Sequence, residues 1–247
     1  MLDIKNLSVS YGKRTVLSNL TFSLEKGSVT ALLGLNGSGK STLLSAICGS
    51  LASVGELLWE GASLRELSAR ERAKRITLLP QSLPTPPFTV EETVLCGRAP
   101  YLSVSGRPSE EDVAIAWDVM GKTGVAPFAS RPLACLSGGE RQLALLSMVL
   151  AQKTPLLLLD EPASFLDKAK EKRFWEVLSR VQREEAVTVF AAMHDLTTAF
   201  RVADRFLLLS EGAILFHGTR AALSSTDIPE RHFGVRRYET EDGLVFV

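Results

Sequence analysis

A glycine-rich loop between an apolar segment and a helical segment restricts the fold more than any other feature of this chain. Residues 34–41 match the pattern G-x-x-x-x-G-K followed by Ser or Thr. Glycines at this spacing allow successive backbone N–H groups to point at a polyphosphate, and the following helix turns its positive end toward the anion. A chance match is expected in roughly one chain in a hundred of this length. Residues 29–48 therefore predict a strand, a phosphate-binding loop and a helix that ends before Gly49.

The side chains of this loop predict how a nucleotide is held. Lys40 can reach the β- and γ-phosphates, and the Ser41 hydroxyl can ligate Mg²⁺. The residues predicted to contact the nucleotide in this loop are Gly34, Asn36, Gly37, Ser38, Gly39, Lys40, Ser41 and Thr42.

The remaining apolar runs indicate the class of fold. Residues 29–33, 156–159 and 187–192 do not alternate and are apolar except for Thr30 and Thr188, which is typical of strands that are buried on both faces of a parallel sheet. Residues 2–24 instead alternate between apolar and polar side chains, which predicts antiparallel strands around a turn at 11–13. We therefore predict an α/β fold with a mostly parallel sheet flanked by helices and an N-terminal antiparallel β subdomain.

Residues 83–135 lack these strand-like runs and predict an inserted helical subdomain. The insertion begins with a proline-rich connector, which cannot continue a helix or a central strand. Ser109 and Asp112 form a capping pair at the start of a helical pattern. Beyond the insertion, Glu211-Gly212 and Asp242-Gly243 are hairpin signals.

Charge and composition exclude several functions. Lys and Arg number 28 and Asp and Glu number 28, so the chain lacks the basic surface expected of a nucleic-acid or anionic-lipid binder. Its apolar runs are shorter than the roughly 18 residues of a membrane span, and its N-terminus does not resemble a secretory signal. Three scattered cysteines favour reduced thiols over a disulfide framework. These features predict a soluble, intracellular protein.

Polar side chains follow the apolar strands at the edge where a parallel sheet binds its ligands. Asp160 is predicted to hold Mg²⁺ through a water molecule, and Glu161 is predicted to act as a general base. Gln81 and His194 follow two other strands in the same way. An Asp-Glu pair alone would be explained by a surface turn, but the phosphate loop favours a nucleotide site. The other two histidines are interpreted as structural residues: His217 and His232.

Residues 136–142 contain two consecutive glycines at the start of an apolar helical run. Ser137 and Glu140 form a capping box, which is a sufficient structural reason for those two residues. It does not explain Gly138 and Gly139, because glycine destabilises a helix. Bare backbone N–H groups beside a serine hydroxyl suit a phosphate, and the chain already has one phosphate loop. This segment therefore predicts a second ligand or a second chain.

Together and in this order, the motifs resemble those of the ATP-binding subunits of ATP-binding-cassette (ABC) transporters, over essentially the first 220 residues. The resemblance implies a P-loop NTPase fold, with ATP and Mg²⁺ as its ligands. It implies one ABC ATPase domain over residues 1–247, with a nucleotide-binding core at 1–82 and 136–220, a helical subdomain at 83–135 and a short extension at 221–247. The roles implied for individual residues are adenine stacking for Tyr11, Mg²⁺ binding for Ser41, Gln81 and Asp160, and catalysis for Glu161, His194 and Gln81.

The resemblance also implies a head-to-tail dimer with a second copy of the chain. ATP on the phosphate loop of one copy would be covered by the signature segment of the other, which consists of Ser137, Gly138, Gly139 and Glu140. Asp167 would lie at the dimer interface. Glu140 and Phe165 stand where the family more often has glutamine and a small or polar residue, and the helix after the signature lacks a common arginine-alanine pattern.

Residues 88–101 and 193–196 resemble importers of iron-siderophore, haem and cobalamin complexes. This implies a subunit at the cytoplasmic face of the inner membrane, bound to a permease that is fed by a substrate-binding protein. An exporter subunit or an importer of another solute are alternatives. A DNA-repair ABC ATPase is disfavoured, because the 120 residues between Lys40 and Asp160 leave no room for a long coiled coil and the net charge is neutral. A P-loop kinase would leave residues 137–139 without a role.

Overall fold

The computed structural model of the protein describes residues 2–103, 106–240 and 243–247. The chain forms two compact units. Unit 1 consists of Met1–Glu66, Leu159–Glu161 and Thr188–Val247, and unit 2 consists of Leu67–Leu158 and Pro162–Val187.

The described strands are β1 (Leu2–Tyr11), β2 (Arg14–Leu24), β3 (Val29–Leu33), β4 (Val54–Trp59), β5 (Ala62–Ser63), β6 (Ile76–Leu79), β7 (Leu156–Asp160), β8 (Thr188–Ala192), β9 (Arg205–Ser210), β10 (Ala213–Thr219), β11 (Arg237–Thr240) and β12 (Gly243–Phe246). The described α-helices are α1 (Lys40–Cys48), α2 (Ala69–Ala73), α3 (Val90–Cys96), α4 (Glu110–Thr123), α5 (Gly138–Ala151), α6 (Lys168–Glu185), α7 (Leu196–Val202), α8 (Arg220–Ser224) and α9 (Ile228–Phe233). Short 3-10 helices lie at Leu64–Glu66, Ala99–Tyr101, Ala126–Phe128 and Leu133–Cys135.

Unit 1 contains the predicted antiparallel β subdomain as a four-stranded sheet with the order β2-β1-β4-β5. The aliphatic side chains of β1 are buried, as the sequence pattern predicts, and the turn to β2 begins at Gly12 with a φ of +59°. The alternation gives this sheet one apolar face and one polar face.

The second sheet of unit 1 carries the nucleotide-site loops. β3 lies between β8 and β9 and is parallel to both, and β10 pairs with β9 in the antiparallel sense. The carboxyl end of β7 follows β8 in the strand order. Every residue of β3 and β8 is buried, which is the property that their mostly apolar sequences without alternation predict.

The C-terminal strands of unit 1 contact the helix that follows β8. β11 and β12 pair as an antiparallel hairpin, as the Asp-Gly signal predicts, although residues 241 and 242 at its turn lie outside the described residues. The Phe246 amide donates a hydrogen bond of 3.0 Å to the hydroxyl of Thr197, and the Phe246 ring lies 4.8 Å from that of Phe200. The chain end is therefore packed on α7.

Unit 2 holds β6 beside the first residues of β7, together with a helical cluster of α3, α4 and α5. The helix predicted after Ser109 is α4, and the predicted capping box at its start is present. A buried Arg98 links the cluster: it donates hydrogen bonds of 2.8 Å to Asp112 Oδ1 and to the Ala151 carbonyl. Its guanidinium also lies 4.0 Å from the centre of the Tyr101 ring.

In the part of the chain that the structure describes, no helix combines the length and apolar character that a membrane span requires. No disulfide joins the three cysteines there.

Candidate nucleotide site

The loop between β3 and α1 has a backbone shape that requires glycine at two positions. Gly34 has a φ of +155°, and a Cβ at this residue would lie 2.5 Å from both the Leu209 carbonyl oxygen and Ser38 Oγ. Gly39 has a φ of +104°, and its Cβ would lie 2.5 Å from Leu17 Cδ2. A side chain at either position would displace the loop, so these glycines fix its path between the two sheets of unit 1.

The first turn of α1 is suited to an anion. Gly39 occupies the N-cap position, and no side chain among the described residues caps this helix. The Ser38 hydroxyl is buried and has no hydrogen-bond partner in the described part of the chain. Backbone N–H groups and a hydroxyl at the positive end of a helix form a phosphate-binding arrangement.

The Lys40 ammonium lies within this loop and is 6 % exposed. Its Nζ donates a hydrogen bond of 2.9 Å to the Gly34 carbonyl and lies 3.7 Å from Glu161 Oε1. A buried ammonium needs anionic or carbonyl partners. Because the carboxylate contact is long, phosphate oxygens can replace it.

Asp160 ends β7 and faces the start of α1. The Ser41 hydroxyl hydrogen-bonds to its carboxylate, but Asp160 Oδ1 is buried without a hydrogen-bond partner in the described ranges. Burial raises the pKa of Asp160, as does the nearby Glu161 charge, whereas the Ser41 hydrogen bond and Lys40 lower it. A carboxylate oxygen and a hydroxyl are ligands that Mg²⁺ prefers, so these residues fit a magnesium ion.

Glu161 adopts an unusual backbone conformation beside these groups. Its φ is +46°, in the left-handed region that residues other than glycine seldom occupy. Its backbone N–H donates to the Ala192 carbonyl at 3.1 Å, which ties it to the end of β8. Local strain of this kind costs about 1–3 kcal/mol and persists where the surroundings enforce it. The strained turn places the carboxylate next to Lys40.

The other predicted site residues of unit 1 are Tyr11 and His194. His194 is exposed and follows the end of β8 after the buried Met193, at the same sheet edge as Asp160 and Glu161. Asp195 follows it and caps α7 by accepting a hydrogen bond of 3.0 Å from the Thr197 amide. Tyr11 ends β1 and is 53 % exposed, which leaves its ring open to a planar ligand.

The predicted site residues of unit 2 lie in exposed segments. Ser137 is the N-cap of α5, and its predicted capping box with Glu140 is present. Ser137 and Gly138 are exposed, whereas Gly139 is buried. Asp167 caps α6 by accepting a hydrogen bond of 3.0 Å from the Lys170 amide.

Comparison with known proteins identifies the family. The family model described as "ABC transporter" matches residues 17–164 of the chain. The chain belongs to the ABC transporter family. As members of this family are, it is an ATP-binding ATPase.

Similar proteins share the ATP-binding function in their names. The iron(3+)-hydroxamate import ATP-binding protein FhuC of Bacillus subtilis (strain 168) is 36 % identical over 95 % of this chain and 88 % of its own length. The ferric enterobactin transport ATP-binding protein FepC of Escherichia coli (strain K12) is 38 % identical over 94 % of this chain and 86 % of its own.

Solved structures show the same fold. An inward-facing protein assigned to the metal-chelate type of ABC transporter has a TM-score of 0.84 and 27 % identity, over 100 % of this chain and 96 % of that one. A bacterial ABC transporter cassette in a dimeric structure has a TM-score of 0.77 and 25 % identity, over 89 % of this chain and 99 % of that one. These likenesses confirm the predicted fold, an ABC ATPase cassette with a mixed sheet, flanking helices and an antiparallel β subdomain.

The sequence did not reveal a cavity that lies beside Gln81. Gln81 lines a cavity of about 200 Å³ within unit 2. Phe165, which is 81 % exposed, and Leu83 contribute its apolar wall, and Arg141 contributes a cation. The proline-rich run before Phe88 was the available signal, because such a run cannot continue a helix or a central strand, and Pro84 of this run lines the cavity.

Proposed function

We propose that this ABC ATPase is the ATP-hydrolysing subunit of an importer for metal-chelate solutes such as iron-siderophore, haem or cobalamin complexes. The observation that carries the hydrolytic part is the cluster of Lys40, Asp160 and Glu161 beside an uncapped helix start. The import function and solute class are supported by relatives whose names state iron(3+)-hydroxamate import and ferric enterobactin transport.

In the proposed reaction the loop holds the polyphosphate before chemistry begins. The backbone N–H groups of residues 34–42 and the Ser38 hydroxyl bind the phosphates, and Lys40 exchanges its 3.7 Å contact with Glu161 for phosphate oxygens. Tyr11 stacks on the adenine ring. Ser41, Asp160 and Gln81 would hold Mg²⁺, which when bound neutralises charge on the β- and γ-phosphates.

Hydrolysis then requires an activated water. Glu161 accepts a proton from the water as its oxygen bonds to the γ-phosphorus, and the bond from that phosphorus to the bridging oxygen breaks, which releases ADP and phosphate. The strained backbone at Glu161 orients the carboxylate for this step. His194 contacts the γ-phosphate or supports Glu161 from the end of β8.

We propose that the covering half of the site comes from a second copy of the chain. Ser137, Gly138, Gly139 and Glu140 would approach the nucleotide held by the partner's loop, with Asp167 at the interface. The exposed start of α5 supports this, as does the dimeric arrangement of a similar bacterial cassette. Closure on ATP and opening after hydrolysis would drive a separate permease at the cytoplasmic face of the inner membrane, which receives solute from a substrate-binding protein.

A mixing experiment tests whether the phosphate loop and the signature segment of one nucleotide site come from different copies of the chain. Lys40→Ala and Ser137→Arg homodimers should both be inactive. Mixed dimers should regain part of the ATPase activity, because one of their two sites has an intact loop from one copy and an intact signature from the other. Each variant alone at the same total concentration is the control. If the mixture stays inactive although mixed dimers form, the covering segment does not act across the interface.

The solute class needs a second test with the complete transporter. ATPase activity is measured in vesicles that contain the subunit with its permease, after addition of candidate loaded binding proteins. We expect stimulation by a binding protein loaded with an iron-siderophore, haem or cobalamin complex. Stimulation by an amino-acid binding protein instead would contradict the proposed solute class while leaving the ATPase assignment intact.

A further inference from the structure

We propose that the Glu140 carboxylate is a gate on the signature serine: it binds the Ser137 hydroxyl proton in the separate subunit and must release it before Ser137 can donate to a nucleotide phosphate. This inference rests on the proposed function, because the phosphate that competes for the proton belongs to the partner's nucleotide. In this proposal Glu140 is a positioning residue, and it opposes closure of the dimer on ATP.

The hydrogen bonds at the start of α5 leave Ser137 no second proton to donate. Ser137 Oγ lies 2.6 Å from Glu140 Oε2, and the Ser137 amide donates to the same oxygen at 2.9 Å. A hydroxyl has one proton, so it cannot serve Glu140 and a phosphate together. The short distance is typical of a hydrogen bond to an ionised carboxylate, which is about twice as strong as a neutral one. The pKa of Glu140 is held below its usual range, first by the Ser137 hydroxyl and amide.

The negative charge of Glu140 also opposes the contact between Ser137 and the phosphate of the partner's nucleotide. If a phosphate approached Ser137 while the box stayed closed, the carboxylate would lie within about 5 Å of the phosphate oxygens, which is two hydrogen-bond lengths. Like charges at that distance repel each other. Arg131 and Arg173 also lower the pKa of Glu140 by their charge, and they offer cationic partners to the released carboxylate.

Three other capping boxes among the described helices show what a purely structural box looks like. Ser68 Oγ lies 2.7 Å from Glu71 Oε2 in a box of the same kind, and similar boxes start α3 and α4. The box before α5 differs from these in the residue after its serine, Gly138. A Cβ at Gly138 would have no atom within 4 Å among its described surroundings, so packing does not require glycine there. A glycine that folding does not need leaves the backbone N–H groups open to a ligand.

Dimer affinity in the Glu161→Gln background tests the gate. The dissociation constant of the dimer is measured by light scattering in Mg-ATP, with and without Glu140→Gln. Glutamine keeps the size and an acceptor oxygen for the box but removes the charge. We expect each of the two sites to gain about three- to tenfold, the range that one hydrogen bond contributes, so the dissociation constant of the dimer should fall about ten- to a hundredfold. Glu71→Gln is the matched control and should leave the constant unchanged. A box with only a structural role predicts weaker dimers or no change.

The outcomes separate the gate from the function on which it rests. If Glu161→Gln dimerises and Glu140→Gln brings no gain, the gate is wrong and the proposed dimer stands. If only the variant with Glu140→Gln dimerises, the gate is supported in its strongest form. If neither dimerises at saturating Mg-ATP, the dimer mechanism and the gate are both overturned. Adding Ser137→Ala should abolish the gain, and a gain that survives it contradicts a gate acting through the hydroxyl.

Discussion

Lys40 and Arg98 are buried cations that are held in contrasting ways. Both side chains are about 6 % exposed. Arg98 in unit 2 has a carboxylate at 2.8 Å, a carbonyl at 2.8 Å and an aromatic ring over its guanidinium. Lys40 in unit 1 has a carbonyl at 2.9 Å, and its carboxylate, Glu161, is at 3.7 Å.

This difference distinguishes a structural ion pair from a binding site. The short contacts of Arg98 join three helices of one cluster, and breaking them leaves a buried Asp112 without its cation. The longer contact of Lys40 lies beside two buried oxygens without partners in the described chain, Ser38 Oγ and Asp160 Oδ1. Polar groups buried in this way mark the place where a ligand completes the hydrogen bonding. Substitution of each cation tests the contrast.

Arg98→Ala should have the largest effect, on stability. We expect the free energy of unfolding to fall by about 3–5 kcal/mol, because the buried Asp112 carboxylate loses its cation and keeps only its hydrogen bonds from Ser109. Urea denaturation followed by circular dichroism measures the loss. The control is Lys122→Ala, which removes a more exposed cation that pairs with Glu185 at 2.7 Å and should cost about 1 kcal/mol or less. Equal losses for the two variants would refute a special structural role for Arg98.

Lys40→Ala should act on ligand affinity instead. We expect ATP affinity to fall about a hundredfold, or about 3 kcal/mol, because a charge-assisted contact to the phosphates is lost. Without ATP, Lys40→Ala should lower the free energy of unfolding by less than Arg98→Ala does. Calorimetric titration with Mg-ATP measures the affinity. Near-normal affinity would mean that Lys40 is a structural cation like Arg98, and the contrast would disappear.

The sequence could identify Lys40 but not Arg98, and the reason is physical. Lys40 belongs to a local pattern in which a strand, glycines and a helix start determine the backbone within eight residues. Arg98 bonds to groups 14 and 53 residues away, so its role depends on how α3, α4 and α5 pack. Asp112 was predicted correctly as a cap of α4, but its second contact could not be read from the same spacing.

The same distinction applies to the larger elements. The buried strands β3 and β8 and the capping boxes of α4 and α5 were predictable because each is determined by neighbouring residues. The cavity beside Gln81 was not, because its wall combines segments far apart in the chain. The strain at Glu161 was also invisible, since Asp-Glu after a strand is compatible with ordinary turn conformations.

Asp160→Asn should raise the free energy of unfolding of the nucleotide-free protein and lower its ATPase activity. Burial raises the pKa of Asp160 above its usual 3.8, so the folded state binds a proton more readily than the unfolded state. Stability therefore falls as pH rises from the unfolded pKa through the folded one. At pH 7.5 and without bound nucleotide, the variant should be more stable than wild type, and its ATPase activity should be much lower.

Thermal unfolding across pH tests the sign of this effect. The stability gap between Asp160→Asn and wild type should close as the pH falls toward the unfolded pKa of Asp160. Mg-ATP should reverse the order at pH 7.5, because ligand binding stabilises only a site that binds it. A gap that is constant from pH 4 to pH 8 would show that the carboxylate charge is not its cause.

The smallest effect separates two capping boxes within unit 2. Ser68→Ala and Ser137→Ala should each lower the free energy of unfolding by about 1 kcal/mol, because each removes the same N-cap hydrogen bond. ATPase activity should fall only for Ser137→Ala, since its hydroxyl has a second acceptor in the proposed dimer. Urea denaturation and steady-state ATPase rates of both variants measure the two effects. Equal ATPase rates for both would make the box before α5 as structural as the one before α2, and the contrast between binding and structural groups would then be confined to unit 1.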